Sequence, residues 1–273
     1  MSPAPTHGVV CSAALDLRCA PEHRAELGSQ LLLGEVVRLT GRPRKGWVPV
    51  ENTADGYRGW VRDWGLVPAS AARARGWTKL ATTRVSAPLA RATAKAGGGL
   101  SVSPLFFGGT LIAGRSSGAW RQVELPDGRR GWVERTALAG KDTPPPSLET
   151  RLLSLLGTPY LWGGRTPAGV DCSALVQLAL AEQGVRMPRD ARDQFEASRA
   201  LKKGEAPRLG DLAFFRAPGE SVGHVGLAIG DGLFVHSRGW VRVSALDPAN
   251  PLCDMPLVPQ FVGWYRPRSR RRA

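Results

Sequence analysis

Cysteine is scarce in this chain and never closely paired: Cys11, Cys19, Cys172 and Cys253 include no C-x-x-C. Zinc-ribbon and thioredoxin-type chemistry both need such a pair, so neither is expected. No apolar run approaches the roughly 20 residues of a membrane-spanning helix. Residues 1–20 lack a continuous apolar stretch behind a basic start and do not resemble a signal peptide. Unpaired thiols suit a reducing compartment, so the expected location is cytoplasmic, or secreted or periplasmic if a leader is missing from the chain. Acidic residues are also few, 23 against 37 Lys and Arg, for a net charge of +14. Such a balance raises nucleic acid as a partner. The basic residues are nevertheless dispersed, and only residues 266–272 are dense. With no zinc-finger spacing and no RNA-motif aromatics, no nucleic acid partner is expected. Two readings of the charge stay open, a solvated surface with a frayed tail or attraction to an acidic substrate or polymer.

What the chain has in quantity is glycine (33), proline (22) and tryptophan (9), a mixture that favours turn-rich β structure over a helical bundle. The first half carries a weak repeat. Leu33-Gly34-Glu35-Val36-Val37, Gly46-Trp47-Val48-Pro49-Val50 and Asp55-Gly56-Tyr57-Arg58-Gly59-Trp60-Val61 are followed by Gly109-Thr110-Leu111-Ile112, Ala119-Trp120-Arg121-Gln122-Val123 and Asp127-Gly128-Arg129-Arg130-Gly131-Trp132-Val133. The tryptophans stand 13 apart in the first set and 12 in the second. Short alternating strands joined by glycine turns predict two small all-β barrels. The proline triplet 144–146 marks a semi-rigid boundary. Beyond it, Ser147 is placed to cap a helix carrying Leu148, Leu152, Leu155 and Leu156, with Gly157 as its stop. The expected domains are 1–72 and 73–141 for the barrels, 142–147 for the linker, 148–267 for an α+β domain and 268–273 for a basic tail.

Chemistry concentrates in the last block. A glycine-rich approach, Tyr160-Leu161-Trp162-Gly163-Gly164, leads to Asp171-Cys172-Ser173 and then to a strong helix former ended by Gly184. Cys172 is thus predicted in the first turn of a helix, where the partial positive charge favours a thiolate. His224 follows 52 residues later on a predicted strand, and His236 lies on the return strand. Side chains alternate along a strand, so both imidazoles share a face only if the turn is Gly230-Asp231-Gly232 or carries an equivalent bulge. A plain two-residue Asp231-Gly232 turn would put His236 on the opposite face. Cys172 as nucleophile, His224 as base and His236 orienting its ring form a triad with the backbone N–H of Cys172 at the oxyanion. His7 and His23 lack such context and read as surface residues. Pro188-Arg189-Asp190 and Gly210-Asp211-Leu212 read as a helix start and a strand start.

These residues resemble the NlpC family of papain-like peptidases. The match is P-Y-x-W-G-G, D-C-S-A-L-V and G-H-V-G-x-x-I-G-D-G-x-x-x-H-S, over roughly residues 148–267. The repeat in residues 1–140 resembles bacterial SH3-like domains. The resemblance implies an α+β fold, a papain-like catalytic domain preceded by two SH3-like barrels. It implies a cysteine endopeptidase that cleaves the γ-D-glutamyl–diamino acid bond of murein peptides, with Cys172, His224 and His236 as the triad and Tyr160 near the oxyanion. It also implies a free-amine pocket for an N-terminal L-alanine at Asp171, with Ser173, Glu35 and Tyr57 as further substrate-binding residues. Asp171 has a second, compatible reading as the cap of the Cys172 helix. Release of L-Ala-γ-D-Glu during peptidoglycan recycling is the leading function. The alternatives are hydrolysis of intact stems, a non-catalytic wall-binding protein, and an acyltransferase on the same scaffold. A murein peptide is the expected partner, with weak attraction to anionic wall polymers as the second reading of the charge. No metal or cofactor is implied, because thiol–imidazole chemistry needs none.

Overall fold

A computed structural model describes residues 4–140 and 143–268. Of the expected linker, Asp142 lies outside the described residues, as does the basic tail beyond Arg268. The chain divides into two compact units, Met1–Pro145 and Pro146–Ala273. Among the described residues, no helix is long and apolar enough to cross a membrane.

The first unit is built twice on one plan. Strands β1 (His7–Val10), β2 (Ala14–Arg18), β3 (Leu27–Leu32), β4 (Val36–Leu39), β5 (Trp47–Asn52), β6 (Arg58–Arg62) and β7 (Leu66–Ala69) form a sheet in the order β3-β2-β6-β5-β4-β1-β7. After α1 (Ala71–Leu80) come β8 (Thr83–Val85), β9 (Leu89–Lys95), β10 (Gly98–Phe106), β11 (Thr110–Ser117), β12 (Trp120–Glu124), β13 (Arg130–Glu134) and β14 (Leu138–Ala139). Their order, β10-β9-β13-β12-β11-β8-β14, repeats the first sheet strand for strand. The tryptophan repeat keeps register too. Pro49, two residues after Trp47, faces Trp60, and Gln122, two after Trp120, faces Trp132. Helix α1 falls across the expected 72/73 boundary and is absent from the sequence reading. Ser70 caps it by accepting from Arg73 N, and Trp77 Nε1 donates to Gly34 O at 2.9 Å.

The second unit is α+β. It comprises α2 (Leu148–Leu153), β15 (Arg165–Thr166), β16 (Gly169–Val170), α3 (Cys172–Glu182), α4 (Ala191–Glu196), β17 (Ser198–Ala200), β18 (Leu212–Phe215), β19 (His224–Gly230), β20 (Leu233–Arg238), β21 (Trp240–Ala245) and β22 (Phe261–Pro267). The main sheet runs β17-β22-β18-β19-β20-β21 and is antiparallel throughout. Ser147 Oγ caps α2 through Thr150 N, as the sequence suggested, but α2 closes at Leu153, before the predicted stop at Gly157. Helix α3 is buried over Cys172 to Leu180 and lies against Val225, Leu227 and Val235, so one face of β19 and β20 covers it. The opposite face, with Ala213, Phe215 and Phe234, closes over Leu257 and Trp264.

Helices α2 and α3 are clamped by a buried ion pair. Arg151 Nε and Nη2 reach Glu182 Oε2 and Oε1 at 2.8 and 3.2 Å, with Arg151 only 1% exposed. Removing one member leaves a charge stranded in the core, at a cost of about 3–5 kcal/mol. Glu182→Ala is therefore expected to lower the urea-unfolding free energy by about that amount, and an unchanged midpoint would contradict it.

Candidate functional site

The β19–β20 hairpin sets the site. Its tip is the two-residue turn Asp231-Gly232, with φ of +51° and +73°, both in the left-handed region that such hairpin turns require. Alone, that turn would place His236 opposite Leu227. The ladder instead shifts between Ala228 and Gly230, leaving Ile229 as a bulge, so Gly226 pairs with His236. The extra residue restores parity, and His224 and His236 come onto one face. Gly226 is small for a reason. A Cβ there would lie 2.7 Å from Phe234 Cδ2 and 3.2 Å from His236 Cβ.

The two rings meet directly. His224 Nε2 and His236 Nδ1 are 2.8 Å apart, and His236 Nε2 lies 3.0 Å from Ser244 Oγ and 3.9 Å from Asp254 Oδ2. With Nε2 committed to His236, the nitrogen that His224 can offer a thiol is Nδ1. Phe215 and Phe234 pack beside the pair, at ring-centroid distances of 5.5 Å from His224 and 4.9 Å from His236. This apolar wall removes water. Burial drives the His224 pKa down to about 4, helped by the Arg238 charge and opposed by Asp254. Burial also lowers His236 to about 2, with His224, Arg242 and Arg238 adding to it.

Cys172 opens α3, as expected, and is 6% exposed. Its thiol is hydrogen-bonded by the backbone of Val225, the residue after His224, and by that of Ser173. Those bonds favour the thiolate, yet burial and the neighbouring Asp171 charge push the thiol up to about 12. The thiolate expected at a helix start is thus not the resting form. Tyr160 stands beside this group. Its backbone N–H donates to Gly239 O at 2.8 Å. Burial, then the charges of Cys172 and Asp171, raise its phenol to about 12.

Asp171 caps α3 and is more heavily used than a cap requires. Its Oδ1 accepts from Ala174 N at 2.8 Å, Ser173 Oγ at 3.1 Å and Arg189 Nη1 at 3.0 Å. Its Oδ2 accepts from Gly163 N at 3.0 Å and Arg189 Nη2 at 2.6 Å. Arg189, read from the sequence as part of a helix start, instead neutralises this carboxylate and also bonds Ser173 Oγ at 2.9 Å. Asp190 does stand at the N-cap of α4. In the first unit, Glu35 accepts from Leu32 N at 3.0 Å, and Tyr57 packs half-buried on the core of its sheet. The roles of Glu35 and Tyr57 in amine recognition are carried by resemblance alone. Ser244 and Asp254 have no reading from the sequence, and Arg189 has one only as part of a helix start. Each acts through a partner 8 to 18 residues away in sequence, a distance at which no local pattern operates.

A buried thiol at a helix start is bonded by the backbone of the residue that follows His224, and His224 pairs with His236 across two strands of an antiparallel sheet. Residues 157–255 match the NlpC/P60 family, and residues 17–66 match the bacterial dipeptidyl-peptidase Sh3 domain. The chain therefore carries an NlpC/P60 domain, of the cysteine-peptidase class, together with a dipeptidyl-peptidase SH3 domain. It is 32% identical over 139 residues to a gamma-D-glutamyl-L-lysine dipeptidyl-peptidase of Bacillus cereus, covering 47% of this chain and 41% of that protein. It is 40% identical over 105 residues to dipeptidyl-peptidase 6 of Lysinibacillus sphaericus, covering 37% and 36%. These matches span less than half the length of either relative. In structure, it is similar to an NlpC/P60 family protein from Bacillus cereus, with a TM-score of 0.79 at 21% identity over 95% of this chain and 98% of that one. That likeness is one of fold.

The depressed histidines carry a pH signature. In the unfolded chain an imidazole binds its proton near pH 6.5, whereas the folded rings resist it down to about 4 and about 2. The unfolded state therefore holds more protons in between, and stability falls with falling pH. Their stabilising effect is complete above about pH 6.5 and is lost progressively as the pH drops toward the folded values. Urea titrations at pH 7.5 and pH 5 should show the lower midpoint at pH 5, and equal midpoints would mean that the rings are not held neutral.

Proposed function

We propose that this protein is a cysteine peptidase that hydrolyses the γ-D-glutamyl–diamino acid bond of murein peptides. The observation that carries the reading is the imidazole pair, His224 Nε2 to His236 Nδ1 at 2.8 Å, on the strand whose next residue, Val225, bonds the Cys172 thiol.

The resting pair is a neutral thiol and a neutral imidazole. As Sγ attacks the scissile carbonyl, its proton passes to His224 Nδ1, and the ring's Nε2–H remains bonded to His236. The oxyanion falls to the Cys172 backbone N–H at the start of α3. Tyr160, kept protonated far above neutral pH, supplies a further O–H donor on that side. His224 then returns its proton to the leaving amine, leaving a thioester that water cleaves with the same imidazole as base.

The resemblance to dipeptidyl-peptidases extends the proposal to peptides with a free N-terminal L-alanine, recognised in the second unit through Asp171 and Ser173. Release of L-Ala-γ-D-Glu from such peptides would serve peptidoglycan recycling. Mass spectrometry of products from L-Ala-γ-D-Glu-diaminopimelate, with and without an N-acetyl block, tests this. The free peptide should be cleaved and the blocked one spared; equal rates would favour hydrolysis of intact stems. Cys172→Ala should abolish turnover, and unchanged turnover would sink the cysteine mechanism. Because His224 remains a base down to about pH 4, the acid limb of kcat/KM should lie well below pH 6. A limb near 6.5 would place the base elsewhere.

A further inference from the structure

His236 is itself held from behind by two buried groups. Ser244, on β21, is 2% exposed, and Asp254, in the loop before β22, is 7% exposed. Ser244 Oγ lies 3.0 Å from His236 Nε2, and Asp254 Oδ2 lies 3.9 Å from the same nitrogen. Asp254 is in turn anchored by Arg242 Nη2 at 2.7 Å and Arg238 Nη1 at 3.5 Å. Arg242 also donates to the Arg238 carbonyl, which ties β21 to the end of β20. We infer that Ser244 and Asp254 are positioning residues that hold His236 as the Nε2–H tautomer and so keep His224 Nδ1 available as a base. This rests on the reading of Cys172 and His224 as nucleophile and base.

The proton count leaves one productive arrangement. If His224 is to take the thiol proton on Nδ1, its own proton must sit on Nε2. That N–H needs an acceptor, so His236 Nδ1 must be bare and its proton must sit on Nε2. There it donates to Ser244 Oγ, with the Asp254 charge beyond. The other tautomer turns a lone pair of Nε2 toward the hydroxyl and the carboxylate. It also points Nδ1–H at His224, forcing the His224 proton onto Nδ1, where it would block the base. A carboxylate near Nε2 decides against that tautomer, as it does when an acid orients a catalytic histidine.

The charges around the pair are Arg238 at the end of β20, Arg242 on β21, Asp254 behind His236 and Asp171 at the start of α3. Asp254 is the anion nearest His236 among them, offsetting the two arginines. Replacing it with asparagine leaves both arginines uncompensated, and an amide can face Nε2 with either its oxygen or its NH2 group. The His224 base should weaken as a result.

Two measurements that need no natural substrate test this. Nitrogen-15 NMR of histidine-labelled protein at neutral pH, assigned with single His variants, should show His236 protonated on Nε2. An Nδ1–H form would overturn the inference. Alkylation of Cys172 by iodoacetamide at pH 7, read by peptide mass spectrometry apart from Cys11, Cys19 and Cys253, should slow about tenfold or more in Asp254→Asn and in Ser244→Ala. Ser244→Thr, which keeps the hydroxyl, should recover most of the rate. Unchanged alkylation in both variants, with melting curves like the parent's, would overturn the inference. If one variant fails to fold, the other and the tautomer of the parent protein still decide. Failure of the parent to cleave the murein peptide would overturn the proposed substrate alone. Normal cleavage with unaffected alkylation would overturn only this relay.

Discussion

Two neutral imidazoles joined through one proton must agree on which ring donates, and the contact between His224 and His236 imposes that agreement on everything around it. The bond at 2.8 Å requires both rings on one face of the sheet. That requires Gly226 opposite His236, which in turn requires the bulge at Ile229, because the Asp231-Gly232 turn supplies the wrong parity by itself. Gly226 must stay without a side chain, since a Cβ there would press on Phe234 and His236. A single unpaired residue in a hairpin thus stands between a working imidazole pair and one split across the sheet.

Asp171 plays the matching role on the helical side. Its carboxylate takes five donors from four residues: two backbone amides, one hydroxyl and both ends of a guanidinium. It fixes the first turn of α3, the glycine-rich approach at Gly163 and the Arg189 side chain in one cluster. A buried carboxylate of this kind is tolerated because its charge is paired and its lone pairs are filled. Ser173 accepts from Arg189 while donating to Asp171, so the residues flanking the nucleophile on both sides are locked. Any ammonium approaching Asp171 therefore meets a carboxylate already balanced by a guanidinium. The proposed recognition of a substrate amine there would have to draw on the field of the whole cluster rather than on a lone negative charge.

The parts of the site legible in the sequence are those governed by local rules. Asp171 before an apolar run gives a cap, Cys172 gives the first turn, Asp231-Gly232 gives the hairpin, and strand alternation poses the question of parity for His224 and His236. The answer, a bulge at Ile229 rather than a longer loop, lies in the pairing of the two strands, which no local pattern encodes. Arg189 and Asp254 are chosen by tertiary pairing, so Pro188-Arg189-Asp190 reads as a helix start and Asp254 gives no local signal at all. The tandem repeat was legible because tryptophans recur at fixed register. Helix α1 was not, since Gly76 interrupts an otherwise helical stretch and its apolar face is little more than Ala74 and Trp77.

The contest at Cys172 shows how burial can override a favourable helix end. A helix N-terminus contributes about 0.3–1 kcal/mol to a nearby anion. Each pKa unit corresponds to about 1.4 kcal/mol, so a thiol pushed from 9.0 to about 12 reports a penalty several times larger. The neighbouring Asp171 charge adds to that penalty, and the Val225 and Ser173 backbone bonds only reduce it. The imidazole is moved the opposite way by the same loss of water. Both shifts favour the uncharged forms, so Cys172 and His224 themselves carry no charge while idle. In the proposed mechanism, charge arises only as the sulfur forms its bond to carbon and His224 takes the proton. At that moment the Asp254 carboxylate behind His236 and the Asp171 carboxylate ahead of it both favour the imidazolium. The two carboxylates, each paired with arginine at rest, thus stabilise the cation when it is needed.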